Sequence, residues 1–349
     1  MATAKKDSQD KKKKAPEAKR RKIRYAVIGL GHIAQVAVLP AFAHAKKNSE
    51  LVALVSSDQE KLKKLGRKYA VKRLVPYEGY DELLRSGDID AVYIALPNQL
   101  HREYTISAAR AGVHVLCEKP MAVTDKECEQ MIRAADEGRI KLMIAYRLHF
   151  EAANMKAVEM ARTGKLGDVR IFNSTFTMQV KPDNIRLKTE TGGGTLYDIG
   201  IYCINAARYI FRSEPTEVLA MSATGDDDKR FTEVEEMVSA SLRFPGDRIA
   251  AFTCSFGASS VSTYQIVGTK GTLRADPAYD YAGELKLNIT STAKNRSANL
   301  RNAISSPRRS LISRSVCLII ASPSLPAAKG SPMCASSALC IAPRKPASP

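Results

Sequence analysis

The chain has 349 residues, 44 % of them hydrophobic, which is enough for two domains with cores of their own. Its net charge of +18 would point to nucleic acid if it were spread over a folded surface. Residues 1–24, however, hold 11 Lys and Arg against 3 acids and residues 285–349 hold 10 against none, leaving 33 of each sign between them. The folded body is neutral, so nucleic acid is not the expected partner, and the lysine-rich end reads as a solvated tail.

No apolar run approaches the roughly 18 residues of a spanning helix, which argues against a membrane protein. The basic N-terminus leads directly to a strand at Ile23, with no apolar segment or small-residue cleavage site after Arg20 and Arg21. Seven cysteines without framework spacing indicate a reducing compartment, and the expected location is the cytoplasm.

After a basic tail over 1–22, the segments I-R-Y-A-V-I-G, L-V-A-L-V, A-V-Y-I-A-L, V-H-V-L-C and K-L-M-I-A-Y alternate with helix-length stretches such as 98–112 and 124–138. Strand, helix, strand at these lengths predicts an α/β fold, with a doubly wound parallel sheet over 23–146. A helical stretch then opens at E-A-A-N-M-K. It leads to strand-like runs at V-R-I-F-N-S-T-F-T, E-V-L-A-M-S-A-T, M-V-S-A-S-L-R-F, R-I-A-A-F-T-C-S-F and T-Y-Q-I-V-G. Their close spacing predicts an α+β unit over 147–284 with a predominantly antiparallel sheet, interrupted by one helix after Gly192-Gly193-Gly194.

G-L-G-H-I-A at 29–34 follows the first strand and opens a helix, the context of a dinucleotide turn. Gly29 permits the tight turn, Gly31 lets backbone approach a pyrophosphate, and Ala34 lets helix and strand pack closely. The pyrophosphate would rest on the helix N-terminus. The second strand ends in Ser56-Ser57, with Lys61 a turn later and no acid at the strand's end. This favours NADP over NAD. Asp58 is expected inside the first helical turn, with Ser57 and Glu60 forming a capping box.

L-C-E-K-P-M at 116–121 ends a buried strand on charge, which places Lys119 at a cofactor's edge. Asp198 and Tyr202 are four apart on a helix and share a face. Oxidising a hydroxyl with a nicotinamide cofactor requires a base for its O–H proton, and a tyrosine serves near neutral pH when a cation such as Lys119 stands beside it. The five histidines lack metal-ligand spacing, so no zinc site is expected.

These motifs, with L-P-N-Q-L-H at 96–101, C-E-K-P at 117–120, A-Y-R-L-H-F at 145–150 and G-G-G-T-L-Y-D-I-G-I-Y at 192–202, resemble the glucose-fructose oxidoreductase/inositol dehydrogenase (Gfo/Idh/MocA) family. The likeness is strongest to its glucose-fructose oxidoreductase branch. The resemblance implies a Rossmann domain, an α+β domain, and hydride transfer between a nicotinamide cofactor and a sugar or polyol. It makes Lys119 the catalytic lysine, Asp198 a substrate-binding acid and Tyr202 the acid/base. Gly29, Gly31, His32 and Ile33 would hold the pyrophosphate end, and Ser56 and Lys61 the 2′-phosphate. Asn98, His101, Glu118 and Arg147 would border the nicotinamide and ribose, with Leu96, Pro97 and Lys119 also at the cofactor. A homo-oligomer joined through the open sheet face is expected. The alternatives are an NAD-linked inositol or sugar-acid dehydrogenase and an inactive cofactor-binding remnant.

Residues 285–349 contain no acid and no aromatic, but 13 Ser, 7 Pro and 3 Cys. Read one nucleotide out of frame from Arg301, a consistent codon choice gives Q-R-D-Q-F-A-P-E-I-A-Y-F. The segment is therefore read as frameshifted, from a point between 285 and 301, or else as a disordered tail.

Overall fold

The computed structural model describes residues 21–225, 227–280, 284–291 and 296–300, with backbone alone at 291 and 296–300. In the first unit β1 (Ile23–Ile28) leads to a helix that opens as a π turn at Ala34–Val38 and continues as α1 (Leu39–Phe42). There follow β2 (Ser49–Val55), α2 (Gln59–Tyr69), β3 (Arg73–Val75), α3 (Tyr80–Arg85), β4 (Ala91–Ile94), α4 (His101–Arg110), β5 (His114–Cys117), α5 (Asp125–Glu137) and β6 (Leu142–Ile144). All six strands run parallel in the order β3-β2-β1-β4-β5-β6, so the winding reverses between β1 and β4.

The strands are near-continuous apolar runs because both sheet faces are covered. Successive residues fall into separate cores: Val27, Leu54, Tyr93 and Leu116 on one side, Ile28, Val55, Ile94 and Cys117 on the other. Helix α5 starts where its sequence says it should. The Thr124 hydroxyl accepts from the Glu127 N–H, and Glu127 Oε2 accepts from the Thr124 N–H. Strand β3 is not evident from the sequence, because its three half-buried residues pair only with β2 at the sheet edge.

The second unit holds α6 (Ala152–Arg162), β7 (Val169–Thr177), a π turn at Leu196–Gly200 running into α7 (Ile201–Phe211), β8 (Glu217–Ala223), β9 (Met237–Phe244) and β10 (Arg248–Ser255). It ends with β11 (Val261–Gly268), β12 (Gly271–Ala275), β13 (Leu287–Ser291) and β14 (Arg296–Leu300). The sheet order is β14-β13-β12-β11-β7-β10-β9-β8, with β7 and β10 parallel and every other pair antiparallel.

Phe172, Leu242, Phe252 and Ile266 pack from one face of this sheet against Ile199, Cys203 and Phe211 of the helical layer. Fully burying one such side chain contributes about 1.5–3 kcal/mol. The opposite face bears exposed Ile171, Leu219, Met221, Ile249 and Val261. Ser239, Ser241, Thr175 and Gln265 share that face by register. The sheet continues past 284 through β13 and β14, whereas residues 301–349, which carry most of the frameshift reading, lie outside the described residues. Among the described residues no helix is long and apolar enough to cross a membrane.

Candidate active site

A cleft of about 980 Å³ opens along the carboxyl ends of β1, β2, β4 and β5 and is closed on the far side by the second unit. Such crevices form in doubly wound sheets where the strand order reverses. Gly29 has φ +90, and a Cβ there would stand 2.5 Å from the Ala95 carbonyl oxygen. At Gly31 a Cβ would meet nothing within 4 Å, so the backbone is bare toward the cleft. No side chain caps the helix start at Ile33, and Ala34 is fully buried against the sheet. His32 and Ile33 line the same mouth. A bare Gly turn leading to an uncapped helix N-terminus suits a pyrophosphate.

At the end of β2, Ser56 is buried and lines the cleft beside Lys61. The expected capping box of Ser57 and Glu60 is not formed. Asp58 is itself the N-cap, with Oδ1 accepting from the Lys61 N–H at 2.9 Å and Oδ2 paired with Lys61 Nζ at 2.8 Å. Asp caps as well as Ser and adds a charge that suits the helix N-terminus, which explains the outcome. Hydrogen bonds from Lys61 hold the Asp58 carboxyl below its ordinary range. A carboxylate thus stands beside the two residues assigned to a 2′-phosphate.

Leu96, Pro97 and Asn98 line the cleft, and Asn98 Nδ2 donates to the Gly192 carbonyl at 2.8 Å, tying the two units together. His101, expected at the nicotinamide or ribose, does not line the cleft. Fully buried behind the wall, its ring nitrogens lie 2.8 Å from the Pro120 carbonyl and 2.9 Å from the Leu96 carbonyl. Burial lowers its pKa. His101 braces the strand ends that carry Pro97 and Lys119.

Lys119, Asp198 and Tyr202 converge as their spacing suggests. Lys119 Nζ donates to Asp198 Oδ1 at 2.8 Å and to the Asp198 carbonyl at 3.0 Å, and lies 5.0 Å from the centroid of the Tyr202 ring. Asp198 Oδ2 accepts from Arg186 Nε at 2.6 Å. Burial opposes ionisation of Asp198, but Lys119 and then Arg186 outweigh it and hold its carboxyl well below the usual carboxylate range. Burial likewise opposes the Lys119 charge, and Asp198 followed by Tyr202 overcomes it, raising the pKa above an ordinary lysine's. Both carboxylate oxygens are thus engaged, so Asp198 orients Lys119 and Arg186 in this state of the site. The Tyr202 ring packs on Phe176 and Tyr279, and among the described residues no side chain or backbone group hydrogen-bonds its hydroxyl.

Arg147 stands with its guanidinium carbon 6.0 Å from the Tyr202 centroid and donates to the Tyr279 carbonyl. Arg186, Tyr93 and Tyr279 were not singled out from sequence. Arg186 lies in D-N-I-R, a loop with no periodicity to orient it, and Tyr93 looks like one more apolar strand residue in A-V-Y-I.

Residues 23–146 match the model of an oxidoreductase family with an NAD-binding Rossmann fold, and residues 154–274 match the GFO/IDH/MocA C-terminal domain. The chain belongs to the Gfo/Idh/MocA family. As a member it is an NAD(P)-dependent oxidoreductase. This Gfo/Idh/MocA chain is 34 % identical over 265 residues to D-xylose 1-dehydrogenase [NADP(+)] of Haloarcula marismortui, covering 74 % of the chain and 73 % of that protein. Over 249 residues it is 35 % identical to an uncharacterized oxidoreductase of Rhizobium meliloti, 71 % of the chain and 72 % of that protein. Among solved structures it resembles aldose-aldose oxidoreductase from Caulobacter crescentus complexed with glycerol, with TM-score 0.80, 38 % identity, and coverage of 86 % and 89 % of the two chains. A 3-ketoreductase from Actinomadura kijaniata in complex with NADP and TDP-benzene follows at TM-score 0.73 and 28 % identity, covering 86 % and 90 %.

Proposed function

We propose that this protein is an NADP-dependent oxidoreductase that transfers hydride between the cofactor and a sugar or polyol hydroxyl of the aldose type. The observation that carries the reading is the Lys119 ammonium over the ring of Tyr202, whose hydroxyl is unengaged among the described residues, in a cleft whose other end is a dinucleotide turn. The D-xylose dehydrogenase and aldose-aldose oxidoreductase likenesses support the substrate class.

The residues fit a dinucleotide: Gly29, Gly31, His32 and Ile33 would hold its pyrophosphate, Ser56 and Lys61 a 2′-phosphate, and Leu96, Pro97, Asn98, Glu118 and Arg147 its nicotinamide end. The nicotinamide supplies the hydride acceptor. Tyr202 takes the hydroxyl proton as the carbon's hydride departs, leaving a carbonyl, or a lactone when the carbon is anomeric. Lys119, fixed as a cation by Asp198, favours the phenolate that accepts this proton and the alkoxide charge that develops as it leaves. Protonated over the working pH range, it stabilises charge while Tyr202 moves the proton. Arg186 completes the carboxylate clamp and faces the substrate end of the cleft.

We place the enzyme in the cytoplasm, in keeping with four free buried cysteines among the described residues, and join copies through the open sheet face. The test is a fluorescence titration with NADPH and NADH, followed by turnover on an aldose panel. Tighter NADPH binding with turnover is expected. Tighter NADH binding would instead favour the NAD-linked inositol or sugar-acid dehydrogenase, for which Asp58 beside Ser56 is the supporting feature. Binding without turnover would favour an inactive remnant.

A further inference from the structure

Tyr93 sits within β4, paired with Val27 of β1 and Leu116 of β5, and is completely buried. Its strand neighbours are Ala91, Val92 and Ile94, which bury no side-chain polar atom. A tyrosine hydroxyl in such a place needs a partner. Here the partner belongs to the site: Tyr93 donates to Glu118 Oε1 at 2.7 Å, while Glu118 Oε2 accepts from the Lys119 N–H at 3.3 Å. Tyr93 and Glu118 both line the cleft, next to Lys119.

We infer that Tyr93 is a positioning residue that keeps Glu118 an oriented carboxylate at the nicotinamide end of the cleft, and that this fixed anion favours the cationic oxidised cofactor over the neutral reduced one. The inference rests on the cofactor reading above. Two effects compete at Glu118. Burial is the larger and leaves its pKa raised, while the Tyr93 hydroxyl, then Lys119 and Arg147, limit the rise. The titratable or charged groups around it are Tyr93 on β4, Cys117 and Lys119 on its own strand end, Arg147 after β6, and Tyr202 on α7 beyond Lys119 and Tyr93. The Lys119 ammonium is committed to Asp198, so the short side-chain hydrogen bond to Glu118 comes from the tyrosine. A hydrogen bond to the ionised form stabilises that form. Removing the hydroxyl therefore moves Glu118 toward its neutral acid, and the cleft loses a negative charge that only the oxidised nicotinamide, with its ring cation, can use.

The test is the ratio of dissociation constants, NADP+ over NADPH, from NADPH fluorescence titration and competition by NADP+ between about pH 5 and 9. It is run on the unsubstituted protein, Tyr93→Phe, Glu118→Gln and the double variant. Tyr93→Phe keeps the ring that fills the core, and a thermal melt checks that it folds. Near pH 7 it should raise the ratio by roughly tenfold, mainly by weakening NADP+. In the unsubstituted protein the ratio should rise as pH falls through the Glu118 titration, and in Tyr93→Phe that rise should begin at higher pH. Glu118→Gln should have a high, pH-independent ratio to which Tyr93→Phe adds nothing. Equal weakening of both cofactor forms, an unmoved pH profile, or additive effects in the double variant would each overturn the inference. If the unsubstituted protein binds neither cofactor form, the cofactor reading itself falls and this inference falls with it.

Discussion

Lys119 makes three contacts at once, two to Asp198 and one to the face of the Tyr202 ring, and these decide which group can carry a proton. An ammonium held by a carboxylate that is itself held by Arg186 does not give up its proton near neutrality. The proposed mechanism therefore leaves Tyr202 as the mobile acid/base. The convergence of Lys119, Asp198 and Tyr202 was legible in the sequence, because a charged strand end and an i, i+4 pair after a Gly run are local patterns. Arg186 was not, since a loop gives its side chain no period from which direction can be read. The placing of His101 was not legible either: the motif that puts a histidine near a cleft is the same whether the ring lines it or braces it from behind, and the two carbonyl oxygens at its ring nitrogens come from residues 5 and 19 positions away.

Helix α2 carries Lys61, which the proposed reading assigns to a 2′-phosphate, and its N-cap carboxylate binds that same ammonium. Asp58→Asn keeps a capping oxygen but removes the charge. It should leave the melting temperature nearly unchanged while raising affinity for NADPH over NADH by about threefold, the scale of an exposed ion pair. Paired cofactor titrations measure this, and an unmoved preference would show that Lys61 does not meet the 2′-phosphate. Capping of α5 was readable from Thr124 and Glu127, whereas at α2 three consecutive candidates, Ser56, Ser57 and Asp58, were each chemically able to cap. Strands β3 and β12 escaped notice for a related reason: with three and five residues they hold too little alternation to stand out, and they exist through pairing with β2 and β11.

Across the whole molecule, the two units and their sheet types follow from the change in spacing of apolar runs near residue 146, and both are present. The outward face of the second sheet is a different matter, because its Ser and Thr residues look like ordinary solvated strand positions until register puts them in rows. Leu219 and Met221, 74 % and 71 % exposed, stand out on β8 at the edge of that face. If copies of the chain meet there, Leu219→Glu with Met221→Glu should shift the protein to a smaller species in size-exclusion chromatography with little loss of secondary structure. An unchanged elution volume would move the interface elsewhere.

The proposed proton transfer turns on one pair of side chains, and the most direct measurement is the pH dependence of kcat/KM for aldose oxidation in the unsubstituted protein, Lys119→Ala and Tyr202→Phe. Each substitution should lower kcat/KM by about 10²- to 10⁴-fold, and Tyr202→Phe should change the shape of the pH profile. If both variants retain near-full activity with an unchanged profile, proton transfer does not run through Tyr202 and Lys119, and the proposed mechanism is wrong.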